Sequence, residues 1–286
     1  MSGDNQNMKT IEVPAIIRDN KVAVFISHSG GKDSQACYAQ ITNALESFPN
    51  AHIVVVHSDL GEMEWEPMGP WIEAITHHPL HIVEANETFF ELCLRTGRLP
   101  SGNQQYCTDF LKTKPICEFI HQYMNKHGYD IGINATGMRA EESKRRELKP
   151  VFGLSKGEYT SDMHQPKKHP NHTIYDWNPI KDFLVADVLE TIEEAGQAPH
   201  SIYSMGFSRL SCVFCVNGRI EEHKKAAMMR PELAKKFAEL ERKLGKTLRM
   251  KQIKNVKYPK YLDEYTDLKP LTIEENGQII FDMEIA

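Results

Sequence analysis

The sequence lacks any apolar run that approaches the roughly 18 to 20 residues needed to span a bilayer. Its first residues, MSGDNQNMKTIEVP, are polar and contain no apolar stretch of the kind that forms the core of a secretory signal. It also contains no internal repeat, which argues against solenoids and propellers. These absences predict a globular protein that resides in the cytoplasm and has no membrane partner.

Cysteine is scarce as well, with six in 286 residues and none after Cys215. In a cytoplasmic chain such cysteines are expected to be thiols or metal ligands rather than a disulfide framework. Cys212 and Cys215 form a C-x-x-C pair, which is typical of a redox dithiol, half a zinc site or half an iron–sulfur site. Cys37, Cys93 and Cys117 lie in apolar helical patterns and are expected to pack in the core.

Positive charge is in the minority, with a net charge of −5, yet it is concentrated in one segment. Residues 219–260 contain fourteen Lys or Arg against five Glu, a local charge of +9, so the remainder carries −14. Such a segment is either the solvated face of surface helices or a binding surface for an anionic macromolecule.

Short apolar runs alternate with helical patterns along most of the chain. Unbroken apolar strands separated by amphipathic helices predict a doubly wound, mostly parallel α/β sheet of five strands. The predicted strands are residues 21–27, 51–59, 80–85, 130–137 and 172–180. The predicted helices are residues 33–48, 68–78, 113–127, 181–196 and a stretch from Pro231 onward. The patternless residues 153–172 are predicted to form an exposed loop, and Asn276-Gly277 a small hairpin.

Directly after the first predicted strand the chain reads Ser-Gly-Gly-Lys-Asp-Ser, at residues 29–34. Gly30 and Gly31 let backbone N–H groups approach an anion with no Cβ in the way, and the dipole of the following helix adds to the attraction. Lys32 adds a positive charge, the serines add hydroxyls, and Asp33 suits a magnesium ion or a helix cap. The spacing differs from G-x-x-x-x-G-K-[ST]. The hexapeptide therefore predicts phosphate binding of another kind than in the common NTPases.

Several stretches together resemble a known family. The residues Ser29, Gly30, Gly31, Lys32, Asp33 and Ser34 resemble the PP-loop of the ATP pyrophosphatase superfamily, whose members cleave ATP between its α- and β-phosphates. HSDLGEMEWEP, which contains Asp59, is similar to the second-strand motif that flanks the nucleotide. GMRAEESKRRE, which begins at Gly137, resembles the G-[ILM]-R-x-x-[EQ]-S-x-x-R segment of phosphoadenosine phosphosulfate (PAPS) reductases. The order and spacing are similar to those of PAPS-reductase-family proteins from phages and mobile elements.

This resemblance implies a Rossmann-like, adenine nucleotide alpha-hydrolase-like fold in residues 1–218 and a basic helical extension in residues 219–286. It also implies ATP and Mg²⁺ as ligands. By the same resemblance, the nucleotide-binding residues are Ser29, Gly30, Gly31, Lys32, Asp33, Ser34, Asp59, Gly137, Arg139 and Arg146. The implied catalytic residues are Lys32, Asp33 and Arg139. A surface salt-bridge network around Arg139 and Arg146 remains the alternative for that stretch.

The cysteines carry a second part of the resemblance. QYCTDFLKTKPI, with Cys107, is similar to the C-C-x-x-R-K-x-x-P-L segment of cluster-bearing adenylyl sulfate (APS) reductases, with Thr108 in place of the second cysteine. Together with Cys212 and Cys215 it implies three of the four ligands of a 4Fe–4S cluster, and Zn²⁺ or plain thiols remain as alternatives. An open iron would bind sulfide or a substrate group, as in cluster-dependent tRNA thiolation enzymes.

Two departures from sulfonucleotide reductases shape the functional prediction. The tail lacks their E-C-G-[IL]-H cysteine, and the loop keeps Lys32, which PAPS reductases usually lack. We therefore expect an enzyme that cleaves ATP to adenylate and pyrophosphate for sulfur transfer, with a sulfur donor protein and tRNA or DNA on residues 219–260 as partners. The alternatives are a PAPS or APS reductase that uses a partner thiol, and a non-catalytic regulator that binds nucleotide and nucleic acid.

Overall fold

The computed structural model describes residues 9–102, 104–155, 172–248 and 261–266, together with the backbone of 272–273 and 279–280. The chain divides into two compact units. The first unit comprises Met1–Thr88 and Cys107–Cys212, and the second comprises Phe89–Tyr106 and Val213–Ala286. No helix among the described residues combines the length and the apolar character that a bilayer crossing requires.

The first unit contains a six-stranded sheet. Its strands are β1 (Val22–Ser27), β2 (Ala51–Asp59), β3 (Leu80–Glu84), β4 (Ile131–Thr136), β5 (Phe152–Leu154) and β6 (Thr173–Trp177). The spatial order is β3-β2-β1-β4-β6-β5, and every neighbouring pair is parallel except β5 and β6. The predicted doubly wound, mostly parallel fold is therefore confirmed.

The predicted strand count of five is wrong by one, because β5 was not recognised. Phe152–Leu154 overlaps the stretch 153–172 that the sequence predicts as an exposed loop. Three residues are too few to show a period of two, and β5 forms because it pairs with the edge of β6. Residues 156–171 of that predicted loop lie outside the described residues.

The described residues contain eleven α-helices. They are α1 (Ala15–Asp19), α2 (Lys32–Leu45), α3 (Met68–Ile75), α4 (Phe89–Thr96), α5 (Tyr106–Thr108), α6 (Lys114–His127), α7 (Lys144–Glu147), α8 (Val185–Glu194), α9 (Ile220–Met229), α10 (Pro231–Leu244) and α11 (Leu262–Tyr265). Short 3-10 helices occupy Gly61–Met63, Ala140–Glu142 and Ser201–Tyr203, and a π-helical turn occupies Asp109–Thr113.

The central strand β1 shows why helices cover both faces of the sheet. Val24 and Ile26 are fully buried in the cluster that contains residues of α2 and α8, whereas Phe25 packs with Ile120 and Met124 of α6. Adjacent side chains of a strand point to opposite faces, so an unbroken apolar strand needs cover on each side. Each such fully buried side chain contributes about 1.5–3 kcal/mol relative to an exposed one.

The strand order reverses between β1 and β4, which places two connecting segments at one edge. Ser27 and Thr136 are paired at the carboxyl ends of these strands. Residues 29–34 follow β1, and Gly137 to Arg139 follow β4. In open α/β sheets, ligands bind at this kind of reversal point. The fold therefore presents the hexapeptide at the edge where a ligand is expected.

The second unit is mainly helical in its described part. Phe237 of α10 packs against Phe89 and Phe90 of α4 and against Phe214, with ring centroids 5.2–5.3 Å apart. The helix predicted from Pro231 onward is thus present as α10. The proposed division at residue 218 stays a prediction, and the structure groups Phe89–Tyr106 with the C-terminal residues.

The predicted C-terminal hairpin is described only at its two strands. Strands β7 (Thr272–Ile273) and β8 (Ile279–Ile280) pair in antiparallel fashion. The Asn276-Gly277 turn itself lies outside the described residues.

Candidate functional site

The hexapeptide forms a tight turn between β1 and α2. Gly30 has a φ of +76°, a conformation that side chains other than glycine rarely adopt. A Cβ at Gly30 would lie 2.2 Å from Cε of Met68, and its carbonyl accepts a hydrogen bond of 2.9 Å from Nε1 of Trp71. The positive φ, together with α3 side chains that lie this close, therefore favours glycine at this position.

Two amides of the turn are bonded to side chains beside them. Ser29 N donates to Oγ of Ser34 at 3.3 Å, and Gly30 N donates to Nδ1 of His28 at 3.1 Å. Burial, with a smaller effect from His57, lowers the pKa of His28 to about 3. His28 is therefore neutral, with Nδ1 as the acceptor and the proton on Nε2. These two side chains therefore stabilise the backbone of the turn from within the protein.

The amides of Gly31 and Lys32 differ from each other in their hydrogen bonding. Gly31 N has no hydrogen-bond partner in the part of the chain that the structure describes. Lys32 N donates at 3.0 Å to the hydroxyl oxygen of Tyr203, which also accepts a hydrogen bond of 3.3 Å from Leu210 N. The start of α2 thus offers one open amide and one amide occupied by a hydroxyl from a distant part of the sequence.

Opposite charges meet at this helix start. Asp33 accepts from Lys32 Nζ at 3.1 Å and from Arg139 Nε, and Arg139 also donates to Glu141. Lys32 is 7% exposed and Arg139 4% exposed. Burial alone would lower the pKa of Arg139, but Asp33 and Glu141 outweigh it and raise that pKa, so the guanidinium stays charged. The structure brings together Lys32, Asp33 and Arg139, the three residues predicted to be catalytic.

Gly137 explains how Arg139 reaches this position. A Cβ at Gly137 would lie 2.5 Å from the carbonyl oxygen of Asp33 and 2.8 Å from Ser34 N. The end of β4 therefore packs directly on the first turn of α2, backbone to backbone. This contact places the following arginine beside the loop.

Two further predicted binding residues, Asp59 and Arg146, have partners of their own. Asp59, at the end of β2, accepts a hydrogen bond of 2.7 Å from Gly61 N. Arg146 binds Glu142, whose carboxylate also accepts from Arg139 N at 3.1 Å. Arg146 is thus linked to the backbone of Arg139 through Glu142, in the kind of salt-bridge network that the sequence left open as an alternative.

The six cysteines form no disulfide. Those predicted to pack in the core are buried: Cys37, Cys93 and Cys117. Those predicted to bind a cluster are partly exposed: Cys107, Cys212 and Cys215. Within the described residues no three or more His, Cys, Asp or Glu side chains gather in a way that could hold a metal ion. A cluster held by Cys107, Cys212 and Cys215, with Zn²⁺ or plain thiols as the alternatives, stays a prediction.

A buried histidine, His223, stabilises the turn at Cys215. The carbonyl of Cys215 accepts from Gly218 N and from Nε2 of His223, each at 2.8 Å. Because Nε2 donates, Nδ1 of His223 accepts from the hydroxyl of Tyr265 at 2.9 Å. This support fixes the backbone of the C-x-x-C segment in the second unit.

The sequence analysis did not identify several residues around the loop, namely His28, Trp71, Tyr203 and Leu210. No periodicity marks Tyr203, since its role depends on a contact across 171 positions. His28 could have been suspected, because it directly precedes the hexapeptide.

The sequence is similar to a known protein family and to a phage protein. The model of the phosphoadenosine phosphosulfate reductase domain matches residues 23–217, more than half of the chain. An uncharacterized 37.8 kDa protein of Escherichia phage 186 is 29% identical over 155 residues, which are 54% of this chain and 42% of the phage protein. The match therefore spans less than half of that relative.

The solved structures that match this chain share little sequence identity with it. PAPS reductase from Candida auris, in a phosphate complex, is 13% identical with a TM-score of 0.41, over 66% of this chain and 80% of that one. The U34-tRNA thiolase of Methanococcus maripaludis, with its [4Fe-4S] cluster, is 13% identical with a TM-score of 0.43, over 90% and 86%. FMN adenylyltransferase of Candida glabrata is 12% identical with a TM-score of 0.44, over 69% and 54%. On the match over residues 23–217, this chain belongs to the phosphoadenosine phosphosulfate reductase domain family.

Proposed function

We propose that the protein binds Mg-ATP with the phosphates at residues 29–34 and cleaves it between the α- and β-phosphates. A substrate oxygen attacks the α-phosphorus, the bond to the bridging oxygen breaks, and pyrophosphate leaves with the electron pair. The observation that carries this proposal is the meeting of Lys32, Asp33 and Arg139 at the start of α2. Membership of the PAPS reductase domain family supports an adenine nucleotide as the ligand.

The charge arrangement suits the stabilisation of a leaving pyrophosphate. Lys32 and Arg139 are nearly buried, and in a poorly hydrated site a fixed cation stabilises developing negative charge more strongly than in water. Here both cations are balanced by Asp33 and Glu141. A triphosphate tail would compete with these carboxylates for the same donors, and the open amide of Gly31 would add another.

Magnesium bound with the nucleotide would neutralise further charge on the phosphates. Asp33 offers a carboxylate oxygen at the mouth of the site, with its side chain 22% exposed. Mg²⁺ in nucleotide sites is commonly held by one or two carboxylates together with phosphate oxygens and water. Asp33 is the residue we assign to this contact.

The acceptor is proposed to be a nucleic acid or another substrate that then receives sulfur from a donor protein. Exposed lysines of the second unit support an anionic partner, and they include Lys225, Lys235, Lys236, Lys243 and Lys246. Neutralising phosphates with such side chains provides affinity independent of sequence.

The products of ATP turnover test this proposal. With Mg-ATP and bulk tRNA, duplex DNA or single-stranded DNA as acceptors, we expect AMP-containing product and pyrophosphate, with no orthophosphate. Lys32→Ala should lower the rate by about 10²–10³, the usual cost of one electrostatic donor to a transition state. Lys126→Ala, an exposed lysine at the end of α6, is the control and should turn over normally. ADP and orthophosphate as products, or an unchanged rate in Lys32→Ala, would contradict the proposal.

The family match also favours a second candidate, a PAPS or APS reductase that takes its thiol from a partner protein. Incubation with PAPS or APS, thioredoxin and a reductant would then release sulfite, independently of ATP. Absence of sulfite removes this candidate. ATP binding that depends on Lys32, with no turnover for any acceptor, would instead favour the regulator.

A further inference from the structure

Tyr203 is held at the phosphate loop by contacts that a phosphate oxygen would otherwise make. Its hydroxyl oxygen accepts from Lys32 N at 3.0 Å and from Leu210 N at 3.3 Å. A Cβ at Gly31 would lie 3.3 Å from the same oxygen, so the hydroxyl also rests against Gly31. The ammonium of Lys32 lies 5.2 Å from the centre of the Tyr203 ring.

These partners are the groups that bind anions at the start of a helix. Backbone N–H groups and the positive end of the dipole face the hydroxyl oxygen, and a lysine stands beside it. A nucleotide phosphate cannot accept from the Lys32 amide while this oxygen accepts from it. One of the two must leave.

The segment around Tyr203 is fixed on both sides of that residue. Nε2 of His200 donates to Glu66 at 2.7 Å, and the ring of Phe207 packs on Trp65 with centroids 4.7 Å apart. Between these anchors the residues Ser204, Met205 and Gly206 are exposed. Release of the hydroxyl from α2 would therefore be a rotation of the Tyr203 side chain between these two anchors.

The exchange is favourable because the two acceptors differ in strength. Burial raises the pKa of Tyr203, so its hydroxyl is neutral at physiological pH. Hydrogen bonds to a charged acceptor are roughly twice as strong as those to a neutral one. A phosphate oxygen is therefore a stronger acceptor for the Lys32 amide than the phenol oxygen of Tyr203.

We propose that the Tyr203 hydroxyl is a placeholder for a phosphate oxygen and that nucleotide binding displaces it from the start of α2. The inference rests on the proposed function, because it requires a phosphate at residues 29–34. It adds a residue from outside the loop, Tyr203, that sets nucleotide affinity by competing for the Lys32 amide.

Nucleotide affinity in Tyr203→Phe tests this, with ATP and inorganic pyrophosphate as separate probes in calorimetric titrations. Loss of the hydroxyl removes a competitor that costs each binding event one net hydrogen bond, so affinity should rise about three- to tenfold. Tyr175→Phe is the matched control, since Tyr175 lies on β6 and stacks on Phe152 away from the loop. It should leave the affinity unchanged.

Amide exchange gives a second readout that does not depend on affinity. In the wild type, ATP should speed hydrogen exchange of the Leu210 amide, which loses its acceptor. In Tyr203→Phe this amide should exchange fast without ATP. A Tyr203→Phe protein with unchanged or weaker affinity, or a Leu210 amide that ATP does not affect, overturns the placeholder while Lys32-dependent ATP binding leaves the proposed function intact. Wild-type protein that binds neither probe overturns both.

Discussion

At the scale of single residues, the site depends on where a side chain is missing. Gly137 lets the end of β4 touch the backbone of Asp33 and Ser34, and Arg139 follows two residues later. The atoms that a Cβ would meet are backbone, which cannot rotate away. The close backbone contact therefore explains why residue 137 is glycine, which the G-x-R motif alone does not.

Gly137→Ala should accordingly damage both stability and the site. Overpacking of this kind costs about 1–3 kcal/mol, and the displaced Arg139 should lower ATP affinity at least about tenfold. Urea denaturation and nucleotide titration measure the two effects. Gly153→Ala on β5 is the control, because its Cβ would meet only a side-chain atom of Pro150 at an ordinary 3.5 Å. Equal behaviour of the two variants would contradict the packing argument.

At the scale of elements, α10 is tied to two later segments through one carboxylate. Glu241 is fully buried and accepts from Leu248 N at 2.7 Å and from Leu262 N at 2.5 Å. Burial raises its pKa from 4.5 to about 7, and the two N–H donors only partly oppose this shift. The chain on either side of residues 249–260 is therefore fastened at a group that titrates near neutral pH.

This fastening predicts a pH dependence with a definite sign. Because the folded-state pKa is raised, the protonated form is favoured on folding, so the contribution to stability is full below pH 4.5 and is lost as the pH rises through 7. Relative to Glu241→Gln, the wild type should lose about 3 kcal/mol between pH 4.5 and pH 8, at 1.36 kcal/mol per pKa unit. Urea denaturation followed by far-UV circular dichroism at both pH values measures it.

The control for Glu241→Gln is another carboxylate on α10. Glu239→Gln changes an exposed carboxylate of α10 and should show no such divergence from the wild type. Parallel pH profiles for wild type and Glu241→Gln would show that the carboxylate is ionised without cost.

At the scale of the whole molecule, charge is divided unevenly between an acidic remainder and the basic residues 219–260. If these residues bind tRNA or DNA, the logarithm of the affinity should fall linearly with the logarithm of salt concentration. Replacing Lys235, Lys243 and Lys246 together by Ala should reduce that slope by about one per lost phosphate contact. Filter binding or anisotropy across a salt series measures the slope.

A triple variant elsewhere separates this effect from general loss of charge. Lys21, Lys126 and Lys149 are exposed lysines of the first unit, and their joint replacement by Ala removes the same charge. An equal reduction of slope in both triple variants would contradict a specific role for the basic segment.

The sequence by itself determined the features that short stretches of chain encode. The buried runs that became β1, β2 and β4 were visible because β-branched and apolar residues stand next to one another. The hexapeptide was visible because two glycines, a lysine and hydroxyls must be adjacent to hold a phosphate. The doubly wound fold followed from their alternation with helical patterns.

Only the tertiary structure decided the contacts between distant positions. Three contacts could not be predicted from neighbouring residues in the sequence. They are the hydrogen bond from the Lys32 amide to the Tyr203 hydroxyl, the hydrogen bonds to Glu241, and the pairing of β5 with β6. Each forms between segments that only the folding of other elements brings together. Periodicity and motif spacing report which face of an element is apolar and which residues are neighbours in sequence. They carry no information on which donor a distant acceptor will meet.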